Sequence, residues 1–297
     1  MHKHLSGIIL LSVFLLGCAN SSDPTQSHRQ MGNLLLAEPA PMSQRSQLAI
    51  ARYSHILNNT DLKDEQRAQL LHQRGTLYDS VGLSGLAQYD FNQAIRLKPD
   101  LAEAYNSIGV HYTQQMNFIQ AYEAFDATLD ISPDMEFAFL NRGIALYYGG
   151  RPDLAVRDFS EFYNKNSSDP YRALWNYLAA SEIDKPQAML ELAQQRESLD
   201  EKNWATQLVD LYLEKITEHE LLNSLVSGVT SQQQLTDRLC EAYFYLGKYH
   251  AARGNKGIAS NYFKLALSTN VFEYVEYRYA RLELNLLRDT ANKTDID

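Results

Sequence analysis

The chain has 297 residues and a formal net charge of −9, with 45% hydrophobic and 11% aromatic residues. That apolar content excludes global disorder. The acidity, with no run of five lysines or arginines, excludes a nucleic-acid partner, which needs a basic face. Two cysteines, Cys18 and Cys240, exclude a disulfide framework.

Met1-His2-Lys3-His4 precedes an apolar run from Leu5 to Leu16, then Gly17-Cys18. A short cationic start, an apolar stretch and a small residue before the cut describe a secretory leader. The run is shorter than the ~20 residues a membrane-spanning helix needs. Leu15-Leu16-Gly17-Cys18 resembles the lipobox of bacterial lipoproteins, although Leu16 is larger than the usual residue there. The resemblance implies removal of residues 1–17 and acylation of Cys18. Ala19, rather than Asp, implies sorting to the periplasmic face of the outer membrane. Three acyl chains, at ~0.8 kcal/mol per buried CH₂, hold a protein stably where one is marginal. Residues 18–43 then form a lipidated tether, stiffened at its end by Glu38-Pro39-Ala40-Pro41. Leu34-Leu35-Leu36 interrupts it, as a docking segment or as a buried anchor on the body.

Helical periodicity begins at Gln44 (Leu48, Ala51, Ile56, Leu57), so residues 44–60 read as a helix that caps the body or makes a dimer contact. From 61 to 168 a 34-residue period governs the chain. It aligns Gly75, Gly109 and Gly143; Ala87, Ala121 and Ala155; and Phe91, Phe125 and Phe159. This period and spacing mark the tetratricopeptide repeat, a helix–turn–helix unit. Small residues let the paired helices approach, the phenylalanine fills the space toward the next unit, and Pro99 and Pro133 stop the second helices. The third copy has Leu146 where the others have Tyr78 and Tyr112, and lacks the closing proline.

Between 169 and 238 the period fails but helical patterns persist around Leu174–Leu178, Ala188–Gln195, Trp204–Leu213 and Glu218–Val226, which read as degenerate helical hairpins. A fourth copy (Gly247, Gly254, Ala259, Phe263, Ala266) and a cap helix from Phe272 to Leu287 occupy 239–287. Residues 288–297 read as a disordered tail. The expected fold is therefore all-α, a tetratricopeptide-repeat superhelix (α-solenoid) with capping helices.

No zinc spacing, P-loop, nucleophile elbow or dinucleotide fingerprint occurs, and the eight histidines are scattered. The expectation is a protein without enzyme activity, with no catalytic residue, metal or cofactor. The first helix of each pair lines the concave wall, where residues one turn apart face the groove. That stripe reads Gln69, His72, Thr76 and Asp79, then Glu103, Asn106, Val110 and Thr113, then Phe137, Leu140, Ile144, Tyr147 and Tyr148. The last set is apolar. It reads either as packing under other helices or another copy of the chain, or as an aromatic hot spot for a peptide or helix. Phe137, Leu140, Ile144, Tyr147, Tyr148, Asn106 and His72 are the candidate partner-binding residues, and Cys18 is the lipidation site.

Several segments carry a closer resemblance: Asp64-Glu65-Gln66-Arg67-Ala68-Gln69-Leu70-Leu71, Ala121-Tyr122-Glu123-Ala124-Phe125-Asp126, Leu140-Asn141-Arg142-Gly143-Ile144-Ala145-Leu146-Tyr147-Tyr148 and Phe244-Tyr245-Leu246-Gly247-Lys248-Tyr249. Over nearly the whole chain it resembles the NlpI family of tetratricopeptide outer-membrane lipoproteins of Gram-negative bacteria. The resemblance implies a homodimeric adaptor that binds peptidoglycan endopeptidases and a periplasmic tail-specific protease, and so controls cell-wall growth and division. An outer-membrane assembly or lipoprotein-handling scaffold is the alternative.

Overall fold

The computed structural model describes residues 34–294, with side chains through Arg288. The architecture is that of residues 35–297, which form one compact unit. The leader, Cys18 and the start of the tether lie outside the described residues. Among the described residues there are fourteen α-helices, one 3₁₀ turn and no strand. None of these helices is long and apolar enough to cross a membrane.

Helix α1 (Gln44–Asn59) starts at Ser43, whose hydroxyl accepts from the Ser46 N–H at 3.3 Å. Its Leu57 joins Leu71, Ala94 and Leu101 in a buried cluster that closes this end of the stack. Leu48, at 72% exposure, faces solvent.

Helices α2 (Asp64–Ser80) and α3 (Ser84–Leu97), α4 (Ala102–Gln114) and α5 (Phe118–Ile131), and α6 (Glu136–Tyr148) and α7 (Pro152–Lys165) form three hairpins. The later pair α12 (Gln232–Ala251) and α13 (Lys256–Ser268) repeats the design. A Cβ added to Gly75, Gly109, Gly143 or Gly247 would stand 2.5–2.7 Å from the ring of Phe91, Phe125, Phe159 or Phe263, so each ring lies against its own hairpin's glycine. The phenylalanines and the facing Ala87, Ala121, Ala155 and Ala259 are buried. Phe91 also meets the next repeat, with its ring 5.7 Å from that of His111. The chain is thus a tetratricopeptide solenoid by its own geometry.

These four hairpins turn the same way. In repeat 1, Leu83 N–H donates to Tyr78 O at 2.8 Å across a left-handed Gly82, the six-to-one closure of a Schellman turn. Gly150 and Gly254 take the same place, and in repeat 2 Met116 does so at φ 59°.

The irregular region contains α8 (Pro170–Ser181), α9 (Lys185–Gln195), the 3₁₀ turn Arg196–Ser198, α10 (Thr206–Tyr212) and α11 (Glu218–Ser224). Helix α8 is buried from Arg172 to Ala179. Helix α12 begins at Gln232, ahead of the expected 239, because Ser231 caps it by accepting from the Gln234 N–H at 3.1 Å.

Two expectations are corrected. The last helix, α14 (Val275–Thr294), starts after a turn at 271–274 and runs on to Thr294. Residues 288–294 are therefore helical and not a disordered tail; no Gly or Pro stops the helix there. Nor do residues 35–40 run on as tether: the interruption expected at Leu34-Leu35-Leu36 is where the chain attaches to the body. Tyr243 OH donates to Leu35 O, Thr236 Oγ1 to Glu38 O at 3.1 Å, and Ala40 N–H to Thr269 O at 2.7 Å. The segment is strapped across α12 and the end of α13.

Candidate binding site on the inner face

The first helices of successive hairpins touch, α2 with α4 and α4 with α6, and form the inner wall. Helix α14 packs against α4, α12 and α13, and so lies on that wall. Its Tyr279 ring stacks on Tyr148 at 5.5 Å and meets Trp175 edge-on at 6.5 Å. This one placement decides the fate of most of the expected groove residues.

Tyr147 and Tyr148 sit half-buried beneath α14. Tyr148 OH donates to Glu283 Oε1 at 2.7 Å, and Lys248 Nζ donates to Tyr147 OH at 2.7 Å and to Glu283 Oε1 at 2.5 Å. Lys248 and Glu283 are themselves buried. Burial opposes the lysine's charge, but Glu283 and Tyr147 outweigh it and hold the ammonium above its ordinary pKa. Burial, then the Glu283 charge, pushes the Tyr148 hydroxyl far up. These groups, with Ser181 and Glu182, line a cavity of about 360 Å³.

Leu140 is buried and Ile144 has no exposure at all, so neither presents a surface to a partner in this arrangement. A helix in mid-stack is flanked on both sides, and only a narrow stripe stays open. Asn106 is half-buried and accepts from Asn141 Nδ2 at 3.1 Å, a rung between repeats 2 and 3. His72 is half-buried with Nε2 3.3 Å from Ser107 Oγ, and burial lowers its pKa against the opposing Glu103 charge. Phe137 alone among the apolar set is open, at 58% exposure, its ring 5.8 Å from Phe162. With Gln69, Thr76 and Glu103, also exposed, it marks the part of the wall that α14 leaves uncovered. Thr113 and Val110 are buried, and Asp79 is held by His111 Nε2 at 2.9 Å.

A second cavity, about 350 Å³, opens beside the start of α14 and is lined by Asp79, Gln114, Phe272, Tyr277, Arg278 and Arg281 among others. Among the described residues no cluster of His, Cys, Asp or Glu could hold a metal ion. The His111–Asp79 and His250–Glu218 pairs, each 2.9 Å, fasten helices together; Tyr262 OH also donates to Glu218.

Sequence reasoning did not join Lys248, Tyr279 or Glu283 to repeat 3, because no periodicity links them. It also missed a signal that was present. Arg74 and Asp90, and Arg142 and Asp158, are 16 residues apart at equivalent repeat positions, and each arginine grips its aspartate with two hydrogen bonds of 2.7–2.8 Å.

No protein-family profile matches the chain. Among solved structures it is similar to a tetratricopeptide repeat protein from Parabacteroides merdae (TM-score 0.47, 20% identity, covering 82% of this chain and 78% of that one). It is also similar to YrrB, described as a TPR protein with an unusual peptide-binding site (TM-score 0.44, 16% identity, 79% of this chain and 99% of that one). A third similar structure is PilF from Pseudomonas aeruginosa (TM-score 0.43, 18% identity, 74% of this chain and 99% of that one).

Proposed function

We propose that the chain is a non-enzymatic adaptor, lipidated at Cys18 and held on the periplasmic face of the outer membrane, that binds peptidoglycan endopeptidases and a tail-specific protease. The observation that carries the binding role is the open part of the inner wall, where Phe137 stands 58% exposed and Gln69, Thr76 and Glu103 on the preceding inner helices also face solvent. An exposed aromatic ring on a rigid helix is the kind of group that dominates protein interfaces. The address rests on the leader and on Leu15-Leu16-Gly17-Cys18, and the choice of partners on the resemblance to the NlpI family. Homodimer formation through α1 is part of the proposal, supported by the outward-facing Leu48.

The test is a crosslinked pull-down from membranes, comparing wild type with Cys18→Ser and Phe137→Glu. Endopeptidases and a periplasmic protease recovered together with wild type support the adaptor; their loss in Cys18→Ser shows that anchoring matters. Capture unchanged in Phe137→Glu removes the open wall from the account. Recovery of barrel-assembly proteins in place of both enzyme classes transfers the scaffold to outer-membrane assembly.

A further inference from the structure

The cavity beside the start of α14 is built where the first repeat meets the last. A Cβ on Gly82 would stand 2.7 Å from the Phe272 ring, so the turn between α2 and α3 and the segment before α14 are in close contact there. The charges around the opening do not cancel. Asp79 meets His111 Nε2 at 2.9 Å and brings one negative charge, against two guanidinium groups in the same lining. Arg278 uses only its Nε, donating to Phe272 O at 3.2 Å, and both of its Nη groups lack a partner among the described residues. Arg281, three residues further along α14, is exposed and makes no ion pair among the described residues. Elsewhere Arg74, Arg142 and Arg196 are each gripped by an aspartate. In a chain with net charge −9, two uncommitted guanidinium groups facing one cavity form a local positive site, walled by Phe272, Tyr277 and Leu267.

We propose that this cavity binds an acidic peptide segment of a partner protein. Arg278 and Arg281 hold a carboxylate, and the neighbouring apolar side chain rests on Phe272 and Leu267. The planar guanidinium fork matches a carboxylate with two parallel hydrogen bonds, which an ammonium cannot do. A volume of about 350 Å³ suits one or two side chains and not a folded domain. The chain supplies its own precedent: further along α14, Glu283 is held against the same inner face by a cation and a tyrosine hydroxyl. The inference rests on the reading of the inner face as a protein-binding surface, and names the chemistry that surface selects.

The test is fluorescence anisotropy with a labelled peptide of alternating glutamate and phenylalanine, and with its glutamine counterpart as control. Wild type is expected to bind the acidic peptide and not the control. Arg281→Glu should weaken binding about tenfold or more, as expected for loss of a charge-assisted hydrogen bond and its replacement by repulsion. Arg281→Gln should give a smaller loss, and Arg157→Glu, at an exposed position on α7, should leave binding unchanged. Circular dichroism confirms that each variant is folded. Equal binding of the two peptides, equal loss in Arg281→Glu and Arg157→Glu, or no binding by wild type would overturn the assignment. Partner capture from membranes judges the adaptor reading separately: capture without peptide binding overturns the cavity assignment alone.

Discussion

Lys248 Nζ stands 2.5 Å from Glu283 Oε1, an ion pair buried between α12 and α14. Each charge is tolerable there because the other is present, and the Tyr147 and Tyr148 hydroxyls complete the set. Removing one partner leaves a buried charge uncompensated, at a cost of about 3–5 kcal/mol. Lys248→Met and Glu283→Leu are each expected to lower stability by about that much in urea denaturation. The double variant should recover most of the loss, because two apolar groups of similar volume need no compensation. Additive losses would show that the pair does not act as a unit.

Met116 occupies the left-handed turn position that glycine fills in the other three hairpins. A side chain there costs about 1–2 kcal/mol. Met116 is partly exposed, at 37%, so little packing is lost with it. Met116→Gly is therefore expected to raise stability by about 1 kcal/mol, read as a higher thermal midpoint with unchanged circular dichroism.

Gly109 and Gly257 should respond in opposite directions. A Cβ on Gly109 meets the Phe125 ring at 2.7 Å, whereas nothing lies within 4 Å of one on Gly257. Gly109→Ala should cost about 1–3 kcal/mol by overpacking. Gly257→Ala, in the first turn of α13, should be neutral or stabilise by up to about 1 kcal/mol. A denaturant series on both variants checks the sign of each.

Glu241 and Glu276 are carboxyls with pKa values raised well above the ordinary 4.5 by burial, and Glu241 is raised further by the Glu276 charge. Trp204 Nε1 donates to Glu241 Oε2 at 3.0 Å, which only partly offsets the burial. The folded chain thus binds protons that the unfolded chain has released above 4.5. The stability this contributes is fully present below that value and falls as pH rises into the neutral range. Thermal midpoints measured across this interval should decline, and Glu276→Gln should flatten the decline. A slope unchanged in the variant would assign it to other groups.

The repeats were legible because their determinants are local and periodic. Gly75 with Phe91 and Gly109 with Phe125 meet within one hairpin, so the spacing that shows in the sequence is the contact that shows in the structure. The turn register was equally available in Gly82, Gly150 and Gly254, and the Arg74–Asp90 grip recurs as Arg142–Asp158. What the sequence hid is the place where α14 docks. Tyr148 and Glu283 are 135 residues apart, and nothing periodic joins them. An aromatic stripe on a repeat helix looks the same whether a partner or the chain's own last helix covers it. Tyr147 and Tyr148 therefore read equally as packing or as an open hot spot; α14 covers them, and only Phe137 of that set is open. Residues 35–40 were only partly legible: Leu34-Leu35-Leu36 marked an interruption of the tether, but the segment docks through backbone carbonyls and one amide, and these carry no residue-type signal.

The strap across α12 and α13 also fixes a load path. A pull arriving along the chain from its N-terminal side meets the bonds to Tyr243, Thr236 and Thr269 before it reaches α1 and the first repeat. Traction at one end of the sequence is thereby delivered to the hairpin near the other end. The repeats that carry the open wall lie beyond these three bonds along the chain.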